Sequence, residues 1–138
     1  MHRLIVTTTV LLACISGQAA AICTAPSRVS GANLTKLIEG NTVCATRGSE
    51  RWQEQHRAGG QLWDYKRGPT DPIDPTKQVG TWSISMAMGG TVTYSYTGGP
   101  NFTYSVHDEG GGASYSFCSG GTEIVTGATF LSGSTSCP

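Results

Sequence analysis

The sequence predicts an all-β domain: a small up-and-down antiparallel eight-stranded barrel with one short N-terminal helix. Three observations carry this. Beyond about residue 40, apolar and polar residues alternate with period two rather than 3.6. Glycine pairs punctuate the alternation, and no helical crossover separates the strands. Closing such a sheet on itself removes the free edges through which a lone domain would pair with its neighbours, so a monomer is expected. A two-sheet β-sandwich is the alternative architecture.

Taken in order, residues 22–30 read as an extended tail anchored by Cys23. Ser30 opens a helix running to about Glu39, with Leu34, Leu37 and Ile38 on one face and Gly40 as its stop. This lead, residues 22–40, precedes a barrel domain over residues 41–138. The first strand is expected at about Thr42–Thr46 and the second at Arg51–Arg57. Ala58-Gly59-Gly60 then leads to the third, Gln61–Arg67. A loop with three prolines, Gly68–Val79, follows. The fourth strand, Thr81–Met88, sets Trp82, Ile84, Met86 and Met88 on one face, and Gly89-Gly90 reads as a two-residue hairpin turn. The fifth, Thr91–Thr97, alternates Val92, Tyr94 and Tyr96 with Thr91, Thr93 and Ser95. The sixth turns Phe102, Tyr104 and Val106 inward, the seventh Ala113, Tyr115 and Phe117, and the eighth covers about Glu123–Leu131. One apolar and one Ser/Thr face per strand is the pattern of a sheet wetted on one side. Alternating turns put the helix at one barrel end and the Gly68–Val79 loop and the Gly98–Asn101 turn at the other.

Residues 1–21 read as a signal peptide. Arg3 is followed by an apolar run from Leu4 to Ile15, about 12 residues and too short to span a bilayer. Ala19-Ala20-Ala21 supplies the small residues of a cleavage site, leaving Ile22 as the first mature residue. The protein is therefore expected to be secreted or periplasmic. Leu11-Leu12-Ala13-Cys14 also fits a loose lipobox, with lipidation at Cys14 as the alternative. The remaining cysteines, Cys23, Cys44, Cys118 and Cys137, are even in number, as expected for two disulfides in an exported chain. Four cysteines allow three connectivities, of which nearest-neighbour pairing, Cys23–Cys44 and Cys118–Cys137, is the one expected, closing two short loops worth about 3 kcal/mol each. No Cys-x-x-Cys is present and no histidine is close to a cysteine in sequence, so no metal site is predicted.

The formal net charge is zero, so nothing in the charge suggests a nucleic-acid partner. Arg47, Arg51, Arg57, Lys66, Arg67 and Lys77 cluster in sequence, either as ordinary surface or as a basic face for an anionic envelope partner. Asn33-Leu34-Thr35 and Asn101-Phe102-Thr103 are sequons that matter only in a eukaryotic secretory pathway.

Trp52, Glu54 and His56 share one face of the second strand. Arg51, Gln53, Gln55 and Arg57 on the other resist burial, so the first three are expected inside. A carboxylate and an imidazole sharing an interior suit either acid–base chemistry or a structural hydrogen-bonded pair. His107, Asp108 and Glu109 precede a glycine turn, where Asp108 initiates it or the three contribute to a metal site with His56. Neither Gly-x-Ser-x-Gly nor a free-thiol Cys–His pair is present. The aromatic residues either fill the barrel or line a shallow cup for a small ligand. Trp52, His56, Trp63, Trp82, Tyr94, Tyr104 and Tyr115 are the candidate lining residues.

Gly80-Thr81-Trp82 at the start of a strand resembles the Gly-x-Trp of lipocalins and avidins, which carry it in their first strand. Gly40-Asn41-Thr42-Val43-Cys44, Trp52-Gln53-Glu54-Gln55-His56 and Gly80-Thr81-Trp82 together resemble small exported bacterial proteins of unknown function. The resemblance implies a calycin-like barrel and no established activity. The residues themselves point to a non-enzymatic binding protein of the envelope or extracellular space, without a cofactor, taking a small apolar ligand or a protein partner. An envelope hydrolase using Glu54 and His56, and an inhibitor of such a hydrolase, are the alternatives.

Overall fold

The computed structural model describes residues 22–64 and 76–138, except the side chains of Glu50 and Trp52. The expected signal peptide, the lipidation site at Cys14 and most of the Gly68–Val79 loop lie outside the described residues. One helix, α1 (Gly31–Ile38), precedes eight strands: β1 (Asn41–Arg47), β2 (Glu50–Arg57), β3 (Gln61–Asp64), β4 (Lys77–Ser85), β5 (Thr91–Tyr96), β6 (Asn101–Asp108), β7 (Tyr115–Ser119) and β8 (Thr122–Ser132). Each pairs antiparallel with the next, and β8 returns to β1, closing a barrel. The closing register sets Val43 opposite Phe130 and Cys44 opposite Thr129. The sandwich alternative is excluded by this seam.

Alternation decides what lies inside. Val43, Leu62, Val92, Val106 and Ala128 are fully buried and form one cluster with Leu34 and Ile38 of α1. The helix thus plugs the barrel end where β1 begins. Gly40 stops it with φ +75°, and its amide donates to the His56 carbonyl at 2.9 Å. Gly80 is required on β4. A Cβ there would sit 2.1 Å from the Ser95 carbonyl oxygen, so β4 and β5 could not pair as closely with any other residue. Trp82, two residues on, lies across the plugged end with Nε1 donating to the Arg57 carbonyl at 3.1 Å.

The expected disulfides are overturned. The pairs are Cys23–Cys118 and Cys44–Cys137, with sequence separations of 95 and 93, rather than Cys23–Cys44 and Cys118–Cys137. The reason is geometric. Cys44 and Cys118 both point out of the barrel, and each terminal segment lies over a different part of the outer wall. Residues 22–29 cover β6 and β7, where Val29 N donates to the Val106 carbonyl at 2.8 Å. The last residues cover β1 and β2: Thr42 Oγ1 donates to the Gly133 carbonyl at 2.6 Å, and Cys137 N donates to Gln53 Oε1 at 2.6 Å. Barrel closure had already brought β8, and the tail after it, beside β1.

The same tail corrects a second expectation. Gln53 and Gln55 face outward as predicted, yet both are buried. Polar side chains are buried at low cost where they are hydrogen-bonded, as these are to Cys137 N and to the Arg57 guanidinium.

β4 begins at Lys77 and ends at Ser85, not at Met88. Met86 and Met88, expected on the apolar face, are 55% and 89% exposed. The link to β5 is a longer turn than Gly89-Gly90, with positive φ at Met88, Gly89 and Gly90. Apolar residues had continued the alternation past the point where the backbone turns. β3 is described only to Asp64, and Ala113 precedes rather than joins β7.

Candidate functional site

The plug leaves the opposite barrel end, where β5 turns into β6, as the mouth. Moving from plug to mouth, the interior is first packed solid. His56, 1% exposed, meets the Trp82 ring edge-on at 5.7 Å between centroids and Tyr94 at 5.6 Å. Its Nδ1 is 3.2 Å from the Asn41 carbonyl oxygen, which can only accept, so Nδ1 carries the proton. Its Nε2 is then the acceptor for the Tyr94 hydroxyl at 3.0 Å. Both nitrogens are engaged, and burial pushes the imidazole pKa from 6.5 down to about 4, against the opposing Asn41 bond. The ring is therefore neutral at pH 7.

Glu54 is buried beside this centre and accepts a hydrogen bond from the Tyr96 hydroxyl. The sequence expectation that Glu54 and His56 both enter the barrel holds, but each is held by a different tyrosine. Burial first, then the Glu54 charge, raises the hydroxyls of Tyr94, Tyr96 and Tyr104 above the ordinary phenol value. All three are protonated donors at neutral pH. Asp64, opposite Glu54 in the β2–β3 register, adds to the effect on Tyr96.

At the mouth the packing opens into an aromatic corner. The rings of Phe102 and Tyr104 lie nearly parallel, at 3° and 6.2 Å between centroids. The Tyr96 ring stands across Phe102 at 71° and 6.0 Å. Phe102, expected inward, is 40% exposed, because β6 starts at the rim and its first inward residue meets solvent. Tyr104 and Tyr96 are half-buried, and Tyr94 below them is closed off. The corner offers flat apolar faces above phenol hydroxyls and a carboxylate.

The predicted lining residues therefore separate. His56, Tyr94 and Trp82 belong to the filled core, and Tyr104 to the mouth. Trp63 faces outward, with the Arg57 guanidinium 3.9 Å above its ring and Nε1 donating to Gln61 Oε1. Named as a candidate lining residue, it is instead paired in register with outward-facing Gln55. Tyr115 lies at the plugged end, where its hydroxyl donates to the Gly112 carbonyl at 3.1 Å. The Trp52 side chain is outside the described residues. Tyr96 and Phe102 were missing from the predicted lining. Their positions flanking the Gly98–Asn101 turn are the sequence signal that places them at the rim.

His107, Asp108 and Glu109 are each committed elsewhere. His107 faces outward between Ser27 and Ser105, 3.0 and 2.9 Å away, and burial followed by the Arg28 charge lowers its pKa. Asp108 caps the amides of Gly110 and Gly112, the turn-initiating role. Glu109 accepts from Gly127 N and Ser116. Although burial works against its charge, these bonds lower its pKa. Among the described residues, no three His, Cys, Asp or Glu side chains converge as a metal site would need.

Of the basic run, Arg47, Arg51 and Lys77 stand at strand ends on the mouth side, Arg57 sits at the plugged end on Trp63, and Lys66 and Arg67 lie outside the described residues. Asn33 and Asn101 are both exposed. The sequence matches no protein-family profile, and no curated protein or solved structure is detectably similar to it.

Proposed function

We propose that this chain is an exported, non-enzymatic binding protein that holds a small apolar ligand at the barrel mouth. The carrying observation is the aromatic corner of Tyr96, Phe102 and Tyr104, in which Phe102 is 40% exposed and the two tyrosines are half-buried, above the sealed Tyr94. Large aromatic side chains bury where they can, and exposed ones grouped around polar donors mark ligand sites. Flat ring faces suit a planar or apolar ligand, and the tyrosine hydroxyls orient its polar end. Export is supported by the signal-like residues 1–21 and by two disulfides, which persist in oxidising compartments. Among the described residues, no helix is long and apolar enough to cross a membrane.

The test is a titration with the apolar fluorophore N-phenyl-1-naphthylamine. Emission should rise on binding to the disulfide-bonded protein, and Tyr104→Ser and Phe102→Ser should each weaken binding at least about tenfold, as loss of a stacked aromatic anchor does. Undiminished binding by both variants would reject the mouth as the site. Turnover of an envelope polymer by pure protein, abolished by Glu54→Gln, would favour the hydrolase reading instead.

A further inference from the structure

A second concavity lies at the plugged end, far from the mouth. It is a groove of about 660 Å³ between the segment Pro26–Ser30, the outer side of α1 and the turn after β6. That volume falls in the range of small-molecule sites. Ser30, Asn33, Lys36 and Leu37 face Asp108 and Tyr115 across it.

All three walls are fixed. Cys23–Cys118 and the Val29–Val106 bond hold the first segment, and Ser27 is tied to His107. Leu34 and Ile38, fully buried, seat the helix. Asp108 clamps the turn through Gly110 N and Gly112 N, and the Tyr115 hydroxyl closes on the Gly112 carbonyl. A ligand would meet a preformed surface, with little ordering entropy to offset.

The chemistry of the lining is specific. The half-buried Tyr115 ring and Leu37 supply apolar contact, the Tyr115 ring being braced edge-on by Phe130 at 5.4 Å. Asn33 and Ser30, both exposed, supply amide and hydroxyl groups. The charges are unequal in availability. The Asp108 carboxylate is turned into its own loop by three hydrogen bonds. Lys36 is exposed and forms no ion pair among the described residues. The accessible charge is therefore positive.

An aromatic face for C–H surface, an amide for hydroxyls and two cations, the Lys36 ammonium and the Arg28 guanidinium tied to the Gly90 carbonyl, together match a sugar that bears a carboxylate. We propose that this groove binds an acidic saccharide, its ring against Tyr115, its hydroxyls on Asn33 and its carboxylate toward Lys36. The inference is independent of the mouth reading, since the two sites share no residue.

The experiment is an NMR titration of the disulfide-bonded protein with a glucuronate-containing disaccharide, with the neutral glucose disaccharide and with sodium acetate. Amide shifts should concentrate at Ser30–Leu37 and Asp108–Tyr115. The acidic sugar should bind about three- to fivefold tighter than the neutral one, the contribution of one exposed ion pair. Acetate alone should not bind measurably. Lys36→Gln should reduce the preference for the acidic sugar, and an undiminished preference would count against the proposal. Tyr115→Leu should weaken both sugars, and Asn33→Ala, on an exposed helix face, repeats that reading without touching the core. No shift with either sugar, equal affinities in the parent protein, or shifts confined to Phe102 and Tyr104 would each overturn the proposal.

Discussion

His56 makes stability depend on pH in a direction opposite to that of a salt-bridged histidine. The unfolded chain takes up a proton at this imidazole near pH 6.5, whereas the folded chain resists until about pH 4. Between these values the unfolded state binds more protons, so stability rises with pH across the window and is fully present above it. Acidification from neutral pH should cost about 2 kcal/mol by pH 5 and about 3 kcal/mol by pH 4 from this residue alone. The physical source is that a cation at this position would be buried away from water. Urea melts at pH 7.5, 6.0 and 5.0 provide the assay, since midpoint times slope converts directly to free energy. His107, also lowered, contributes in the same sense, so the decisive quantity is the difference between the parent and His56→Gln. Between pH 7.5 and 5.0 the parent should lose about 2 kcal/mol more than the variant. Equal losses, or an His56 imidazole that titrates near pH 6.5 by NMR in the folded protein, would refute the argument.

Three further outcomes follow from the same packing. Trp82→Ala should destabilise the barrel by about 3–5 kcal/mol in a denaturant melt, because a ring buried across the plug leaves a cavity and orphans the Arg57 carbonyl; a loss below about 1 kcal/mol would place the ring outside the core. Gly80→Ala should cost about 3 kcal/mol or abolish folding, since its Cβ would overlap the Ser95 carbonyl, and a native-like melting midpoint would contradict the close β4–β5 approach. Peptide mapping without reductant should recover Cys23 with Cys118 and Cys44 with Cys137. Each bridge closes a loop of more than 90 residues and is worth about 4–5 kcal/mol by chain entropy, against about 3 for the short loops.

The parts of the fold that were legible are those governed by local alternation. Val92, Tyr94 and Tyr96 are spaced two apart with Thr and Ser between them, and β5 follows that spacing inside and out. Val106 and Phe117 are likewise placed by parity alone. Alternation fails where the chain leaves the sheet. Met86 and Met88 kept the period while the backbone had already turned, and the period alone could not distinguish an inward methionine from one on a turn. The disulfides failed for a different reason. Proximity in sequence is a sound guide for short loops, but here each terminus crosses an outer wall assembled from strands distant in sequence. Only the closed topology puts Cys137 over β1 and Cys23 over β7.

The candidate site was legible to the same extent and with the same boundary. Facing was correct for His56, Tyr94, Trp82 and Tyr104, but depth was not readable, because alternation reports which side of the sheet a residue occupies and not how far along the barrel it lies. Depth comes from combining parity with turn order. A residue beside a turn at the mouth is at the rim, and one opposite His56 is at the centre. On that reasoning Tyr96, at the end of β5, and Phe102, near the start of β6, had to meet at the mouth, whereas Tyr94 had to be sealed beneath them. Tyr115 begins β7 at the plugged end, so it belongs with α1 and the Asp108 turn. A barrel this small fills at its waist with its own tyrosines, which is why both proposed sites lie at its ends.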